Sequence, residues 1–281
     1  TQPMLMLSAS AMKWMTYTVV ALTVLWVLGN LFTGPLQHWF IFRPKKLPQH
    51  HEYQFEAPFE ELFIETSYRG RLNALWFKAS GDVPAKGVVL FYHGNAGSLE
   101  RWGHLHHFFA RHGYDFLVYD YRGYGKSTGK RSQKIMYADA QEIYRFARKH
   151  YSPEQIVLYG RSLGSSFASR VAAEQPARIL VLETPFYSMS NLFYTYYPFL
   201  PRAFYFQYNL SNARSLRQVQ IPVVVFHGTD DLVVPYRCAE RLKKVLKPGD
   251  QFYTIPGGSH NNLLFYDIYN SKMEEILSGE E

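Results

Sequence analysis

The stretch QIVLYGRSLGSSFASRVAAE, residues 155–174, joins an apolar β-rich run to a helical run of small residues through Gly160-Arg161-Ser162-Leu163-Gly164. This is G-x-S-x-G between a strand and a helix, and that context turns a weak five-residue pattern into a useful one. A serine at the apex of a tight strand-to-helix turn has strained backbone angles and crowded neighbours. Gly160 and Gly164 supply the room, and the helix N-terminus aims its amides at charge developing near Oγ. A helix-capping serine between two turn glycines would give the same five letters, so the surrounding chain has to decide.

Working outward, continuous apolar runs occupy residues 87–92 (GVVLFY), 114–119 (YDFLVY), 155–159, 178–182 (RILVL), 221–226 (IPVVVF) and 251–255 (QFYTI). Runs of this kind predict parallel strands buried on both faces. Helical stretches are predicted between them at 99–112, 134–150, 163–174, 236–246 and 261–277. Residues 62–68 and 72–78, joined across 69–71, read as a hairpin. A hairpin followed by alternating strands and helices implies an α/β domain with a mostly parallel, doubly wound sheet. One interval breaks the rhythm. Residues 184–210 hold eleven aromatics in 27 residues, with Pro185, Pro198 and Pro201 interrupting any long helix. They read as a short aromatic-rich cap, about 184–217, that packs on the sheet, roofs an apolar-walled pocket, or does both.

Two more pieces of chemistry lie past later strands. His227-Gly228-Thr229-Asp230-Asp231 follows the run at 221–226, and Gly257-Gly258-Ser259-His260 follows the run at 251–255. Carboxyl ends of parallel strands share one edge and one crevice, so serine, carboxylate and imidazole meet there, in the chain order Ser, Asp, His. A serine hydroxyl needs a base within hydrogen-bond reach, and the base needs a carboxylate to hold its tautomer. Ser162, His260 and Asp231 can supply those roles. The turn after 87–92, His93-Gly94-Asn95-Ala96-Gly97, brings backbone amides to the same edge. The amides of Asn95 and Leu163 make a two-donor oxyanion hole.

The succession HGNAG (93–97), YDYRGYGKS (119–127), GRSLG (160–164), LETPF (182–186), HGTDDLVVP (227–235) and GGSH (257–260) resembles the α/β-hydrolase superfamily over residues 60–275. More narrowly it resembles membrane-anchored serine hydrolases of that superfamily, a group with lysophospholipase-like and protein-depalmitoylating members. The resemblance implies Ser162 as nucleophile, Asp231 as acid, His260 as base, and Asn95 and Leu163 as oxyanion donors. It also implies that Arg122-Gly123-Tyr124-Gly125 is a structural brace. Adjacent side chains diverge, so only one of Asp230 and Asp231 faces His260, and the family spacing selects Asp231. Glu183, at the end of another strand, is the alternative acid.

The first fifty residues add a second theme. Residues 15–32 (MTYTVVALTVLWVLGNLF) carry no charge and as a helix would be about 27 Å long, close to the hydrocarbon thickness of a bilayer. Trp39, Phe40, Arg43, Lys45 and Lys46 follow as an interfacial flank. The run is long for a signal-peptide core and lacks a small-x-small cleavage site, so it reads as one uncleaved N-terminal transmembrane helix. Residues 1–48 are accordingly expected to be anchor and linker, and 49–281 the catalytic domain. Lys13 and the terminal amine oppose three charges beyond the span, an excess of one that favours the cytoplasmic side for the domain.

The 281 residues suit one large domain. A net charge of +7, dispersed along the chain, suits a membrane surface and does not suggest a nucleic-acid partner. The single Cys238 excludes an intramolecular disulfide and Cys-rich metal sites. His104, His106, His107 and His112 lack a neighbouring carboxylate and read as a helix surface. No metal and no cofactor is expected. The resulting expectation is a serine hydrolase acting on ester or thioester bonds of lipid-like acyl substrates at a membrane, with an acyl-lipid or an S-acylated protein as substrate. An acyltransferase using the same triad, or a non-catalytic tethered binding module, is the alternative. Oligomeric state is not legible.

Overall fold

The computed structural model describes residues 8–79, 84–199, 202 and 206–278. Its first helix, α1 (Ala9–Ile41), starts at Ser8, whose hydroxyl accepts the Ala11 amide at 3.2 Å. The window Ala9–Val27 is long and apolar enough to cross a membrane, with a mean hydropathy of 1.2 and no part of it buried. Its three threonine hydroxyls are satisfied internally. Thr16, Thr18 and Thr23 each donate to the carbonyl four residues back, at 2.9, 2.9 and 2.8 Å. That is the arrangement a helix needs where no water is available. The span expected at 15–32 thus lies inside a longer helix. At the other end Trp39 and Phe40 are exposed, whereas Ile41 and Phe42 are buried in the domain.

The sheet, among the described residues, has eight strands: β1 (Phe59–Thr66), β2 (Gly70–Phe77), β3 (Gly87–Tyr92), β4 (Tyr114–Tyr119), β5 (Ile156–Arg161), β6 (Ile179–Glu183), β7 (Val223–Gly228) and β8 (Gln251–Ile255). Their spatial order is β8-β7-β6-β5-β3-β4-β2-β1. β1 and β2 form the antiparallel hairpin, β2 runs antiparallel to β4, and every remaining pair is parallel. Side-chain alternation feeds two apolar layers. Leu90, Leu117, Leu158 and Leu182 face α2 (Gln133–Ala147) and α3 (Ser165–Ala172), while Phe91, Phe116, Tyr159 and Val181 face Phe109 and the C-terminal helix. Covering both faces is what the unbroken apolar runs required, since each fully buried large apolar side chain contributes roughly 1.5–3 kcal/mol.

Three long helices expected from the sequence are broken, residues 261–277 into a 3-10 turn at Leu263–Phe265 and the helix Asp267–Ser278. Residues 99–112 divide into Leu99–Trp102, a 3-10 turn at Gly103–Leu105, and His106–Ala110. A glycine in mid-helix weakens the α form there. Residues 236–246 divide into Tyr236–Ala239 and a 3-10 segment, Glu240–Lys244.

The aromatic interval contains α4 (Met189–Tyr196), capped by Ser188, whose hydroxyl accepts the Asn191 amide at 3.1 Å. Its aromatics divide. Phe186 and Tyr208 join the core, while Tyr196, Tyr197 and Phe199 are exposed; Phe204 and Tyr205 lie outside the described residues. α5 (Asp267–Ser278) closes the chain, inserting Tyr269, Met273 and Leu277 beneath the sheet.

The segment after α1 is part of the domain. Arg43–Pro44 pairs in parallel with Ala96–Gly97, and Lys46 bridges Gly125. No break in packing therefore falls at residue 48. Arg122, fully buried, is the brace expected of its turn. Its Nε and Nη2 donate to Asp139 at 2.6 and 2.8 Å, and its Nη1 donates to the Tyr68 carbonyl at 2.9 Å, tying the hairpin to α2.

Candidate active site

β5 ends at Arg161 and Ser162 begins the helical turn, with φ of +52°. That is left-handed backbone in a non-glycine residue, an unfavourable conformation held in place by its surroundings. The glycines on either side make this possible. A Cβ on Gly164 would lie 1.8 Å from the Tyr92 carbonyl oxygen, and one on Gly160 would lie 2.6 Å from the Ser165 Cα. The turn is therefore pressed against the end of β3, which brings the nucleophile candidate beside the 93–97 loop.

The Ser162 hydroxyl donates to Nε2 of His260 at 3.0 Å, and Nδ1 of His260 donates to Oδ2 of Asp231 at 2.7 Å. A carboxylate only accepts, so the proton sits on Nδ1 and the Nε2 lone pair faces Ser162. The other oxygen of Asp231 accepts the amides of Val233 and Val234, each at 2.8 Å. Three donors thus hold a carboxylate that is 3% exposed, with one oxygen reserved for the base. Asp230, its neighbour, is exposed and accepts from the Thr229 hydroxyl at 2.8 Å. Glu183 lies within 3.3 Å of Arg161 and accepts the Tyr159 hydroxyl at 2.6 Å, so it is engaged away from His260. Of the three carboxylates considered from sequence, the structure brings Asp231 alone to the imidazole.

The 93–97 loop lies against the same turn. Leu163 belongs to the first residues of the helical turn, whose amides have no acceptor within the helix. Asn95 is half-buried at the loop's apex. The 93–97 loop and the Ser162 turn are therefore neighbours, with the Gly164 position packed against the Tyr92 and His93 carbonyls, which is where the sequence expects the two oxyanion amides. His93, which precedes them, is buried, and its Nδ1 bonds the Gly94 carbonyl at 2.7 Å.

Comparisons with known proteins bear on the fold. The family model described as serine aminopeptidase, S33 matches residues 83–212, a span that holds Asn95, Ser162 and Leu163 and ends before Asp231 and His260. An uncharacterized protein of Mycobacterium tuberculosis is 29% identical over 249 residues, covering 87% of this chain and 88% of its own. The human alpha/beta hydrolase domain-containing protein 17B is 27% identical over 231 residues, covering 79% and 76%. Among solved structures, an esterase from Pyrococcus furiosus superposes with a TM-score of 0.66 at 17% identity, covering 85% of this chain and 97% of its own. The esterase domain of a Rhodothermus marinus protein gives 0.57 at 18% identity, covering 79% and 97%.

The chain has the α/β-hydrolase fold.

Three further residues support the candidate site, and sequence reasoning missed them. Arg161, the first x of G-x-S-x-G, donates through Nη2 to the His260 carbonyl at 3.1 Å and to Asn261 Oδ1 at 3.2 Å. It thereby ties the nucleophile strand to the base loop, with Glu183 as its counter-charge. His227, the first residue of HGTDD, donates from Nε2 to the Val234 carbonyl at 2.8 Å and closes the loop that shapes Asp231. Burial lowers its pKa against the opposing pull of Asp231, which keeps it neutral beside the acid. Tyr121 donates to the His93 carbonyl at 2.6 Å, steadying the start of the oxyanion loop. The available signal was position: each lies within two strand ends of a triad residue or in the same short motif.

Of the histidines at 104–112, His104 and His107 are exposed, as expected of a helix surface, and His106 departs. His106 is buried, stacks on Phe77 with ring centroids 4.3 Å apart, and bonds the Gly103 carbonyl through Nδ1 at 2.8 Å. It is a core residue, where the sequence suggested a helix surface.

Proposed function

We propose that this protein is a serine hydrolase that cleaves ester or thioester bonds of lipid-like acyl substrates presented at a membrane, through an acyl-enzyme. The observation that carries the reading is the continuous relay from Ser162 through His260 to Asp231, at 3.0 and 2.7 Å. Ser162 Oγ attacks the acyl carbonyl carbon while its proton passes to His260 Nε2. The carbonyl oxygen becomes an oxyanion and accepts the amides of Asn95 and Leu163, worth roughly 10²- to 10³-fold in rate for each donor. Collapse expels the alcohol or thiol, which takes the proton from His260. Water then repeats the sequence to release the acid and restore Ser162.

The choice of an acyl substrate rests on what surrounds the relay. Leu232 and Val233 follow Asp231 directly and are 86% and 51% exposed; Phe265 follows His260 by five residues and is 85% exposed. Tyr196 of α4 donates to the Val233 carbonyl at 3.2 Å, so the aromatic interval reaches this same rim. Apolar side chains left open beside a polar relay suit a substrate with a hydrocarbon chain. The exposed apolar window of α1 supports presentation at a bilayer. The esterase neighbours and the hydrolase-named human relative are consistent with this chemistry.

The test is a chain-length series of p-nitrophenyl esters beside a lysophospholipid and an S-acyl peptide, with Ser162→Ala as control. The reading expects turnover that rises with chain length and disappears in the control. Turnover unchanged in Ser162→Ala would overturn it. Acyl product appearing on an added alcohol instead of water would recast the enzyme as a transferase.

A further inference from the structure

The oxyanion loop is held by an unusual neighbour: the chain that emerges from the apolar helix. Four consecutive carbonyls, Gly94 to Gly97, each receive a donor. The Gly94 carbonyl accepts from His93 Nδ1 at 2.7 Å and the Ala96 carbonyl from Trp102 Nε1 at 3.0 Å. The Asn95 carbonyl accepts two, the Arg43 amide at 2.9 Å and the Tyr124 hydroxyl at 2.7 Å. The Gly97 carbonyl accepts the Lys45 amide at 2.8 Å. On its far side the strap is itself fixed, with the Gly125 amide donating to the Lys45 carbonyl at 2.9 Å and the Leu47 amide to the Gly125 carbonyl at 3.0 Å.

These bonds bear on the direction of one N–H. In a planar trans peptide the Asn95 N–H points opposite to the Gly94 carbonyl, so whatever holds that carbonyl aims the donor. The next peptide plane is held at the Asn95 carbonyl. With both planes fixed, Asn95 has no free backbone rotation, and its N–H is set before substrate arrives. A donor contributes most to an oxyanion when it needs no reorganisation as charge develops. Of the four donors from outside the loop, two come from Arg43–Lys45 and one from Tyr124. Their ring and backbone surroundings are fixed as well: Tyr124 is buried, edge-on to Tyr121 with centroids 5.6 Å apart, and Lys45 pairs with Glu100 at 2.5 Å.

We infer that the strap Arg43–Lys46 and the Tyr124 hydroxyl are positioning elements of the oxyanion loop, so that the connection from the apolar helix to the domain is itself part of the catalytic scaffold. This rests on the hydrolase reading above. Neither element touches substrate; the Arg43 amide and the Tyr124 hydroxyl act at the Asn95 carbonyl, and the Lys45 amide pins the end of the same loop at Gly97.

The experiment compares full-length wild type, Tyr124→Phe, Lys45→Pro and Ser162→Ala on a soluble ester, with a trifluoromethyl ketone as tetrahedral analogue. Tyr124→Phe keeps the ring and removes one hydroxyl; Lys45→Pro removes one amide donor. The inference expects kcat to fall about tenfold in each, a fraction of the roughly 10²- to 10³-fold cost of losing an oxyanion donor. The analogue's inhibition constant should rise by the same factor, with KM within about twofold. A fall in melting temperature with kcat and analogue affinity preserved would assign both groups to stability alone and overturn the inference. So would kcat and analogue affinity within about twofold of wild type in Tyr124→Phe, which by itself decides should the proline variant fail to fold. Turnover surviving in Ser162→Ala would remove the hydrolase reading and the inference with it, a result separable from the others by that control.

Discussion

Asp231 accepts three hydrogen bonds and offers none, and this decides how its substitution behaves. Asn in its place turns one acceptor into a donor, which must face either the Val233 and Val234 amides or His260 Nδ1. Either choice leaves the imidazole without its tautomer partner. Asp231→Asn should lower kcat by roughly 10⁴-fold, the scale known for loss of a triad carboxylate. Asp230→Asn, on an exposed side chain, should stay within about twofold in the same assay, in keeping with the small effects of ordinary surface changes. Equal losses from the two would reassign the acid. Arg161 makes a different kind of prediction. It is buried with Glu183, 3.3 Å away, and removing it leaves a buried carboxylate without its cation. Breaking such a pair costs about 3–5 kcal/mol, so Arg161→Met should lower the midpoint of urea unfolding by that equivalent. It should also reduce kcat through the freed His260 loop. A variant as stable as wild type would show that Arg161 is not under load.

At the scale of elements, the β5–α3 turn is the least tolerant point. Gly164→Ala would drive a Cβ to 1.8 Å from a β3 carbonyl, where neither backbone can move independently. Overpacking of this kind costs about 1–3 kcal/mol or more, and here it would also move Ser162; soluble yield and unfolding midpoint should both fall. A normal midpoint with full activity would mean the turn is looser than its geometry. The elements also explain which features were legible in the sequence. Strands β3 and β4 coincide with their apolar runs because burial on both faces leaves an unbroken signature, whereas β8, a half-buried edge strand, was legible from its β-rich composition. The turn at Ser162 was legible because only glycine fits its flanks. The division of residues 99–112 was hidden, since His106 and Phe109 keep a helical spacing while Gly103 tightens the turn. The strap at 43–46 was hidden for a deeper reason. It acts through backbone amides, which every residue but proline carries, so its letters read only as basic charge at a headgroup. Arg161 occupied a position that the motif leaves unspecified.

Across the whole molecule, two features set its response to surroundings. Burial lowers the pKa of both His106 and His227 below the ordinary 6.5. The unfolded chain therefore takes up protons first as pH falls. Stability is complete above about pH 6.5 and is lost as pH drops from there towards the folded-state values. The melting temperature should decline over that window, and His106→Phe, which retains the stack on Phe77, should make the decline shallower. An unchanged slope would place the acid sensitivity elsewhere. The second feature is the apolar rim beside the relay. Replacing Leu232 and Phe265 by Asp should reduce turnover of a bilayer-held acyl substrate about tenfold, the removal of two apolar contacts from a lipid surface, and should spare a short soluble ester. Equal effects on both substrates would assign these side chains to the site's interior structure instead. The account as a whole turns on Ser162 being an activated nucleophile. The direct measurement is reaction of the full-length protein with a fluorophosphonate, followed by mapping of the adduct by mass spectrometry. A single adduct on Ser162, absent from Ser162→Ala and strongly slowed in His260→Ala, is the predicted result. A folded wild-type protein that remains unlabelled, or an adduct that persists in Ser162→Ala, would contradict it.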